Sequence, residues 1–370
     1  MHKLTFFPLG NADSCLIALE NGKRVLFDYD HCRDETDKGD LRIDLAQRLR
    51  DDLDSVERDY YDAVAFTHAD DDHIHGAPDF FYLEHAAKYQ GDDRIKINEL
   101  WVPAAFILEE GLKDDAAVLR AEARHRLKKG KGIRVFSRPE RLRDWLKSEG
   151  IKLEDRAHLI THAGSTIPGF TTQNDGVEFF VHSPFSKHTD QGEDIDRNEC
   201  SLVVQATFKA GDESTRLLLT ADTTYDIWAD IVNITKANGN DERLVWDVFK
   251  IPHHCSYLSL SDEQGKDETK PVREVQWVLD QGQAGGILVA TSKPIPCDDK
   301  DVQPPHRQAA NCYRKCAARV SGSFVVTMEH PKVSAPDELV IEITTLGAKL
   351  CKKISAGGAA AISVRPPRAG

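Results

Sequence analysis

The run that most constrains this chain is residues 61–76, Tyr-Asp-Ala-Val-Ala-Phe-Thr-His-Ala-Asp-Asp-Asp-His-Ile-His-Gly. Its first part, residues 61–67, reads as a short buried strand. Its second part places His68, Asp70, Asp72 and His73 almost side by side. Clustered carboxylates repel one another unless a cation sits among them. Imidazole nitrogens and carboxylate oxygens are also the donors that divalent metals take, at roughly 2.0–2.2 Å. A turn of this composition directly after a strand is read as a metal loop, against the plainer reading of an acidic surface turn with incidental histidines.

Two later segments favour the metal reading. Residues 217–222 are Leu-Leu-Leu-Thr-Ala-Asp, and residues 250–256 are Lys-Ile-Pro-His-His-Cys-Ser. Asp222 ends an apolar strand, where a carboxylate is either a cap or a ligand; beside the 68–73 loop a bridging ligand is the better reading. His253 and His254 are adjacent, and adjacent side chains of an extended segment point opposite ways. One of the two is then expected to face the metal, with the other against substrate or core.

The rest of the pattern is that of one α/β domain over residues 1–355. Strands are expected at 4–7, 15–19 and 24–27, with Asn21-Gly22 as a hairpin turn between the last two. Further strands are expected at 97–102, 177–182, 201–208, 216–220, 248–251, 285–290, 323–328 and 338–344. Helical spacing or propensity marks 41–57, 114–129, 139–149 and 308–320. Residues 84–165 mix helix and strand and are the expected insertion, α-rich and shaping the cleft. From residue 356 the Gly-, Ala- and Pro-rich composition predicts a flexible tail.

Composition narrows the partners. The formal net charge is −13, unlike a surface built to grip nucleic acid throughout. A local basic run, with Arg124, Lys128, Lys129 and Lys131 at its centre, is either a nucleic-acid contact or a solvated helix face. Eight scattered cysteines make no Cys-x-x-Cys pair. Cys312 and Cys316 share a helix face, but a zinc site there would lack two ligands, so reduced thiols are expected. No run of eighteen apolar residues occurs, so no membrane span is expected. With no apolar leader, the expected location is the cytoplasm.

Taken together, the motifs resemble those of the metallo-β-lactamase superfamily, and more closely the soluble domain of the competence protein ComEC and its stand-alone relatives. That branch opens on a Gly followed by Gly-Asp and an apolar strand, similar to Gly10-Asn11-Ala12-Asp13-Ser14. Its Asp-x-Gly resembles Asp28-Tyr29-Asp30, and its Ser-His-x-Asp-x-Asp-His-x-Gly-Gly resembles residues 67–76. Its Asn-x-x-Ser-Leu-Val, Leu-Thr-Gly-Asp and Lys-x-Pro-His-His-Gly-Ser resemble residues 198–203, 219–222 and 250–256, and its late His before a helix resembles His306. The likeness spans roughly residues 4–345 apart from the middle region. Asp30, His75, Ala221 and Cys255 stand where that pattern has glycine. The third-motif histidine of the superfamily has no clear counterpart; His182, at a strand end, and Asn198, near the corresponding place, are the candidates.

The resemblance implies a four-layer αββα sandwich and a metal-dependent hydrolase with two divalent ions, Mn²⁺ or Zn²⁺, with Mg²⁺ also compatible. His68 and Asp70 would hold one ion. Asp72, His73 and one histidine of the 253–254 pair would hold the other, with Asp222 bridging. Asp28 would orient the loop by hydrogen bonding. Asp72 is then essential to catalysis, and a hydroxide shared by the two ions would be the nucleophile. His75, Ser256 and His306 are candidates, by position, to assist the leaving oxygen. The implied activity is that of a nuclease or other phosphodiesterase, acting on nucleic acid or a nucleotide phosphodiester. The alternatives are hydrolysis of a small acyl substrate (lactone, thioester or β-lactam), or an effector of a bacterial defence system controlled by a protein partner encoded nearby.

Overall fold

The computed structural model describes residues 1–190 and 195–351, so the tail expected from residue 356 lies outside the described residues. In chain order the strands are β1 (His2–Phe6), β2 (Cys15–Ala18), β3 (Arg24–Phe27), β4 (Tyr60–Ala65), β5 (Lys96–Pro103), β6 (Ile133–Phe136), β7 (Ile160–Thr161), β8 (Val177–Ser183), β9 (Val203–Ala210), β10 (Glu213–Leu219), β11 (Trp246–Lys250), β12 (Gly282–Ala290), β13 (Ser323–Val326), β14 (Leu339–Thr344) and β15 (Gly347–Leu350). The α-helices are α1 (Leu45–Asp54), α2 (Asp71–Ile74), α3 (Ala77–Phe80), α4 (Ala104–Leu108), α5 (Asp114–Lys129), α6 (Glu140–Ser148), α7 (Ser186–Asp190), α8 (Tyr225–Ala237), α9 (Arg273–Leu279) and α10 (Arg307–Arg319).

The strands form two sheets. One has nine strands in the order β15-β14-β1-β2-β3-β4-β5-β6-β7, and the other has six in the order β13-β12-β11-β10-β9-β8. Period-2 alternation gives each sheet two apolar faces, and three cores follow. The inner faces meet in one core, where Phe6, Val25, Ala63 and Trp101 of the first sheet pack against Phe179, Val204, Leu217 and Val289 of the second. On the outer face of the first sheet, Leu26, Val64 and Leu100 pack against Leu45, Leu49 and Leu53 of α1 and Leu119 and Leu127 of α5. On the outer face of the second, Leu218, Phe249 and Leu288 pack against Ile227, Trp228 and Ile231 of α8 and Tyr313 of α10. Helix, sheet, sheet and helix thus make the expected four-layer αββα sandwich. Each fully buried leucine contributes about 1.5–3 kcal/mol through removal from water.

The middle region is woven into the first sheet. β5, β6 and β7 continue it in parallel from β4, and α4 to α6 belong to the same region. α8 has no counterpart among the expected elements. Its β-branched Ile, Val and Thr residues lower helix propensity, and burial against the second sheet decides the conformation.

Both sheets change from antiparallel to parallel pairing near their middles. β2–β3 is antiparallel and β3–β4 parallel; β9–β10 is antiparallel and β10–β11 parallel. The turns leaving β3, β4, β10 and β11 therefore emerge at one edge of the sandwich. Main-chain hydrogen bonds tie these turns together: Asp13 N to Asp72 O at 3.0 Å, Tyr29 N to His73 O at 3.0 Å, Leu202 N to Thr67 O at 3.0 Å and His253 N to Ala221 O at 3.1 Å. Among the described residues no helix is long and apolar enough to cross a membrane.

Candidate metal centre

The turn after β4 runs through Thr67 and His68 into α2, with Asp70 at its N-cap position. The turn after β10 carries Asp222, and the turn after β11 carries His253 and His254. Asp72, His73, Asp222 and His254 converge, each offering one donor atom within 4.8 Å of the others. His73 Nε2 is 3.3 Å from Asp222 Oδ1. His254 Nε2 is 3.0 Å from Asp72 Oδ2 and 3.5 Å from Asp222 Oδ2. His68 lies beside them, its ring centroid 3.9 Å from that of His73, and its Nε2 is 3.4 Å from Asp70 Oδ2.

All three inner imidazoles are anchored through Nδ1. His73 Nδ1 donates to Asp28 Oδ2 at 2.8 Å, and His254 Nδ1 donates to the Thr291 carbonyl at 2.8 Å. His68 Nδ1 is 3.1 Å from the Thr67 hydroxyl, which itself donates to Asp28 at 2.7 Å. Such anchors fix the ring and leave Nε2 for the centre. Asp28 also accepts the Thr67 amide at 2.7 Å, as expected of a carboxylate that orients the loop.

The donor set fits a divalent cation. His68 Nε2, His73 Nε2 and Asp222 Oδ1 are buried without a hydrogen-bond partner, although the last two lie 3.3 Å apart. Buried polar atoms left unsatisfied cost on the order of 1–3 kcal/mol each. Charges of opposite sign hold one another in this cluster. Burial disfavours charge on His254, but Asp222, the hydrogen bond to Asp72 and nearby Asp13 outweigh it and raise its pKa to about 9. Burial likewise opposes charge on Asp222, yet His254, His73 and Lys250 hold its carboxyl well below the usual range. A cation that takes the same donors displaces their protons.

His253 and His254 do not sit in an extended segment. Both occupy a left-handed turn, each at φ +49°, so alternation does not apply. His254 points into the cluster, while His253 stands at the rim with Nε2 3.9 Å from Asp222 Oδ2. Below them Lys250 is buried; its ammonium pairs with Asp13, donates to the Ala221 carbonyl at 3.1 Å and lies 4.0 Å from Asp222.

Several expected residues are placed elsewhere. The ring of His182 is buried and bonds through Nε2 to the Arg243 carbonyl at 2.9 Å, beside Phe180 and Ile231, so it is not a third-motif ligand. His306 stands at the N-cap position of α10 without a side-chain cap bond and is 5% exposed; its Nδ1 accepts the Tyr257 amide at 3.3 Å and its Nε2 donates to the Val302 carbonyl at 3.3 Å. Both ring nitrogens are thus engaged with the main chain, and the imidazole ties residues 257 and 302 together. The Ser256 hydroxyl accepts the Leu258 amide at 3.3 Å and caps a short turn. His75 is half-exposed, with Nδ1 4.0 Å from Asp115 Oδ2.

The basic run is not a free positive patch. Arg124 pairs with Glu110 at 2.7 Å and lies over the Trp145 ring; Lys128 pairs with Glu149 at 3.4 Å, and Lys129 with Glu84. Lys131 is exposed. Acids distant in sequence neutralise what the local window shows as net positive.

Four residues that hold the site were not singled out for it by sequence reasoning. Asp13 and Lys250 lie inside the quoted motifs, which is a usable signal. Arg197 and Glu109 carry none: Arg197 donates to Asp70 Oδ1 at 2.5 Å and to Glu109 Oε1 at 2.7 Å. A cleft of about 580 Å³ opens there, lined by Asp70, Glu109, Glu110, Arg141, Arg197 and Asn198. The Asn198 Oδ1 atom is buried without a partner.

Fold and site define a class: a four-layer αββα sandwich with a His/Asp centre where the parallel strands of both sheets end. No family model matches the sequence. No curated protein matches it either. Among solved structures, a diphosphatase of the PhnP family is similar at TM-score 0.36 and 11% identity, over 95% of this chain and 99% of that one. A class B3 di-zinc metallo-beta-lactamase from an Alaskan soil metagenome is similar at TM-score 0.30 and 14% identity, over 75% of this chain and 89% of that one. Neither likeness is close enough to carry a role from those proteins to this chain.

Proposed function

We propose that the chain is a metal-dependent hydrolase of the metallo-β-lactamase type that cleaves phosphodiesters. The observation that carries this reading is the convergence of Asp72, His73, Asp222 and His254 from opposite sheets, with His73 Nε2 and Asp222 Oδ1 buried without a hydrogen-bond partner and His254 Nε2 turned to Asp72. Divalent cations bound there would supply Lewis acidity, acidifying water and neutralising charge that builds on the scissile group. Asp72, His73, Asp222 and His254 would hold one ion, with His253 at its rim. His68 and Asp70 would hold the second, with Asp222 between.

The chain's own residues do the positioning. Asp28 and the Thr291 carbonyl fix the imidazoles, Lys250 steadies Asp222 from below, and the cleft beside Asp70 and Asn198 receives the substrate. Asp70, Asp72 and Asp222 give three carboxylates beside the imidazoles, a mixed oxygen and nitrogen set that admits Mn²⁺ as well as Zn²⁺. That set and the ComEC-like motifs favour phosphorus over an acyl carbon. The in-chain pairing of Arg124, Lys128 and Lys129 favours a short, nucleotide-sized diester over long nucleic acid.

Purified protein would be assayed with Mn²⁺, Zn²⁺ and Mg²⁺ on plasmid, single-stranded DNA, RNA, dinucleotides and an aryl phosphodiester. Nitrocefin and a lactone would run in parallel. The expected result is diester cleavage with Mn²⁺, fastest on the short substrates, and lost by at least about a thousandfold in Asp72→Ala. Lactone or nitrocefin turnover without diester cleavage would overturn the phosphodiesterase reading.

A further inference from the structure

We propose that Arg197, clamped by Glu109, is a positioning residue that turns Asp70 toward His68 and so creates a second cation position beside the four-donor cluster. The inference rests on the metal-dependent reading above.

The four-donor cluster does not include His68 or Asp70. His68 is buried and anchored at Nδ1, and its partnerless Nε2 has Asp70 Oδ2 3.4 Å away. Asp70 is a third exposed and stands at the N-cap position of α2, yet its side chain does not cap that helix. Its own element therefore leaves the carboxylate free to rotate. What holds it is Arg197, whose Nη1 donates to Oδ1 at 2.5 Å. With Oδ1 engaged, Oδ2 is the oxygen left to face His68.

Arg197 is itself fixed. Its Nε lies 2.9 and 3.0 Å from the two Glu109 oxygens, and its Nη2 lies 2.7 Å from Oε1. The guanidinium carries five N–H donors in a rigid plane, so one group can serve both carboxylates at set angles, which an ammonium cannot. Glu109 follows α4 of the middle region, Arg197 precedes β9, and Asp70 follows β4. Three separate parts of the chain are thus joined to orient one oxygen.

The test is titration of the full-length, metal-free protein with Mn²⁺ and with Zn²⁺ by calorimetry and equilibrium dialysis. Wild type, Arg197→Lys, Arg197→Gln, Glu109→Gln, Asp70→Asn and the Arg197→Gln/Asp70→Asn pair would be compared. Wild type is expected to bind two equivalents. In both Arg197 variants the first is expected to be retained, which also reports an intact fold, while the second weakens by about 10- to 100-fold. Glu109→Gln is expected to weaken the second by a smaller factor. The double variant is expected to be no weaker than Asp70→Asn alone, because the two residues act in series. In steady state, kcat should fall with KM little changed. A second equivalent of unaltered affinity in Arg197→Gln overturns the inference and leaves the hydrolase reading standing. So does a rise in KM alone, which would make Arg197 a substrate contact. A wild type that binds fewer than two equivalents overturns the two-ion reading and the inference together.

Discussion

The first sheet presents its donors on a short helical turn held by an anion, whereas the second presents its donors on left-handed turns held by a cation. On the first side, Asp28 gathers hydrogen bonds from Thr67 and His73, and the loop leaves through Gly76 at φ +77°. On the second, Ala221, His253, His254 and Cys255 all have positive φ without a glycine among them, and the Lys250 ammonium lies beneath. Non-glycine residues in that region cost roughly 1–2 kcal/mol each. They persist at functional sites because the surroundings over-determine them. Asp28, at φ +58°, is the one such residue in the turns after β3 and β4 on the first side, against four on the side that supplies Asp222 and His254, where the backbone strain is therefore greater.

Removing the cation should break this arrangement most severely. Lys250→Met leaves the buried Asp13 carboxylate without its counter-charge, held by the Thr291 hydroxyl, and is expected to destabilise the protein by about 3–5 kcal/mol in chemical denaturation. A loss below 1 kcal/mol would show that Asp13 does not depend on it.

The second half also carries a buried histidine outside the centre. Burial lowers the pKa of His182 from 6.5 to about 4. Between those values the unfolded chain binds a proton that the folded chain refuses, so stability falls as pH drops through that window. From this group alone the protein should be about 2 kcal/mol less stable at pH 5 than at pH 7. Denaturation of His182→Gln at both pH values should show a shallower dependence by that amount.

Smaller effects sharpen the backbone contrast. Gly76→Ala places a side chain at positive φ, 3.4 Å from His31 Cβ, and should cost about 1–2 kcal/mol. Ala221→Gly should be neutral within about 0.5 kcal/mol, where the same change at a right-handed helical position costs about 1 kcal/mol. Thermal shifts of the two variants check the pair. Equal destabilisation would remove the asymmetry between the halves.

Much of this was legible in the sequence where local pattern decides. The spans of β3 and α5 agree with expectation to the residue, and most other strands within two or three. Of the four residues that stand where the resembled pattern has glycine, Ala221 and Cys255 have positive φ, whereas Asp30 and His75 do not. That Asp72, His73, Asp222 and His254 would meet was readable because His and Asp are rare in such density at strand ends. What was not readable depended on pairing across the fold. Arg124 and Lys129 look like a basic patch until Glu110 and Glu84 are brought beside them. Arg197 meets Asp70 from 127 residues away, and no local window contains that contact. His306 and Ser256 accept the amides of Tyr257 and Leu258, a structural use of residue types that sequence alone reads equally as proton donors.

The amides of Asp13, Tyr29, Leu202 and His253 tie the donor-bearing turns to one another through main-chain carbonyls. Two of these ties end on Asp72 and His73 themselves, and another crosses from one sheet to the other. Loosening any single turn thus means breaking a main-chain hydrogen bond to its neighbour, so these turns should breathe as one cooperative unit with the interior of the sandwich. Deuterium uptake at these four positions would then track global opening, while the surface around Lys131 and Leu346 exchanges freely.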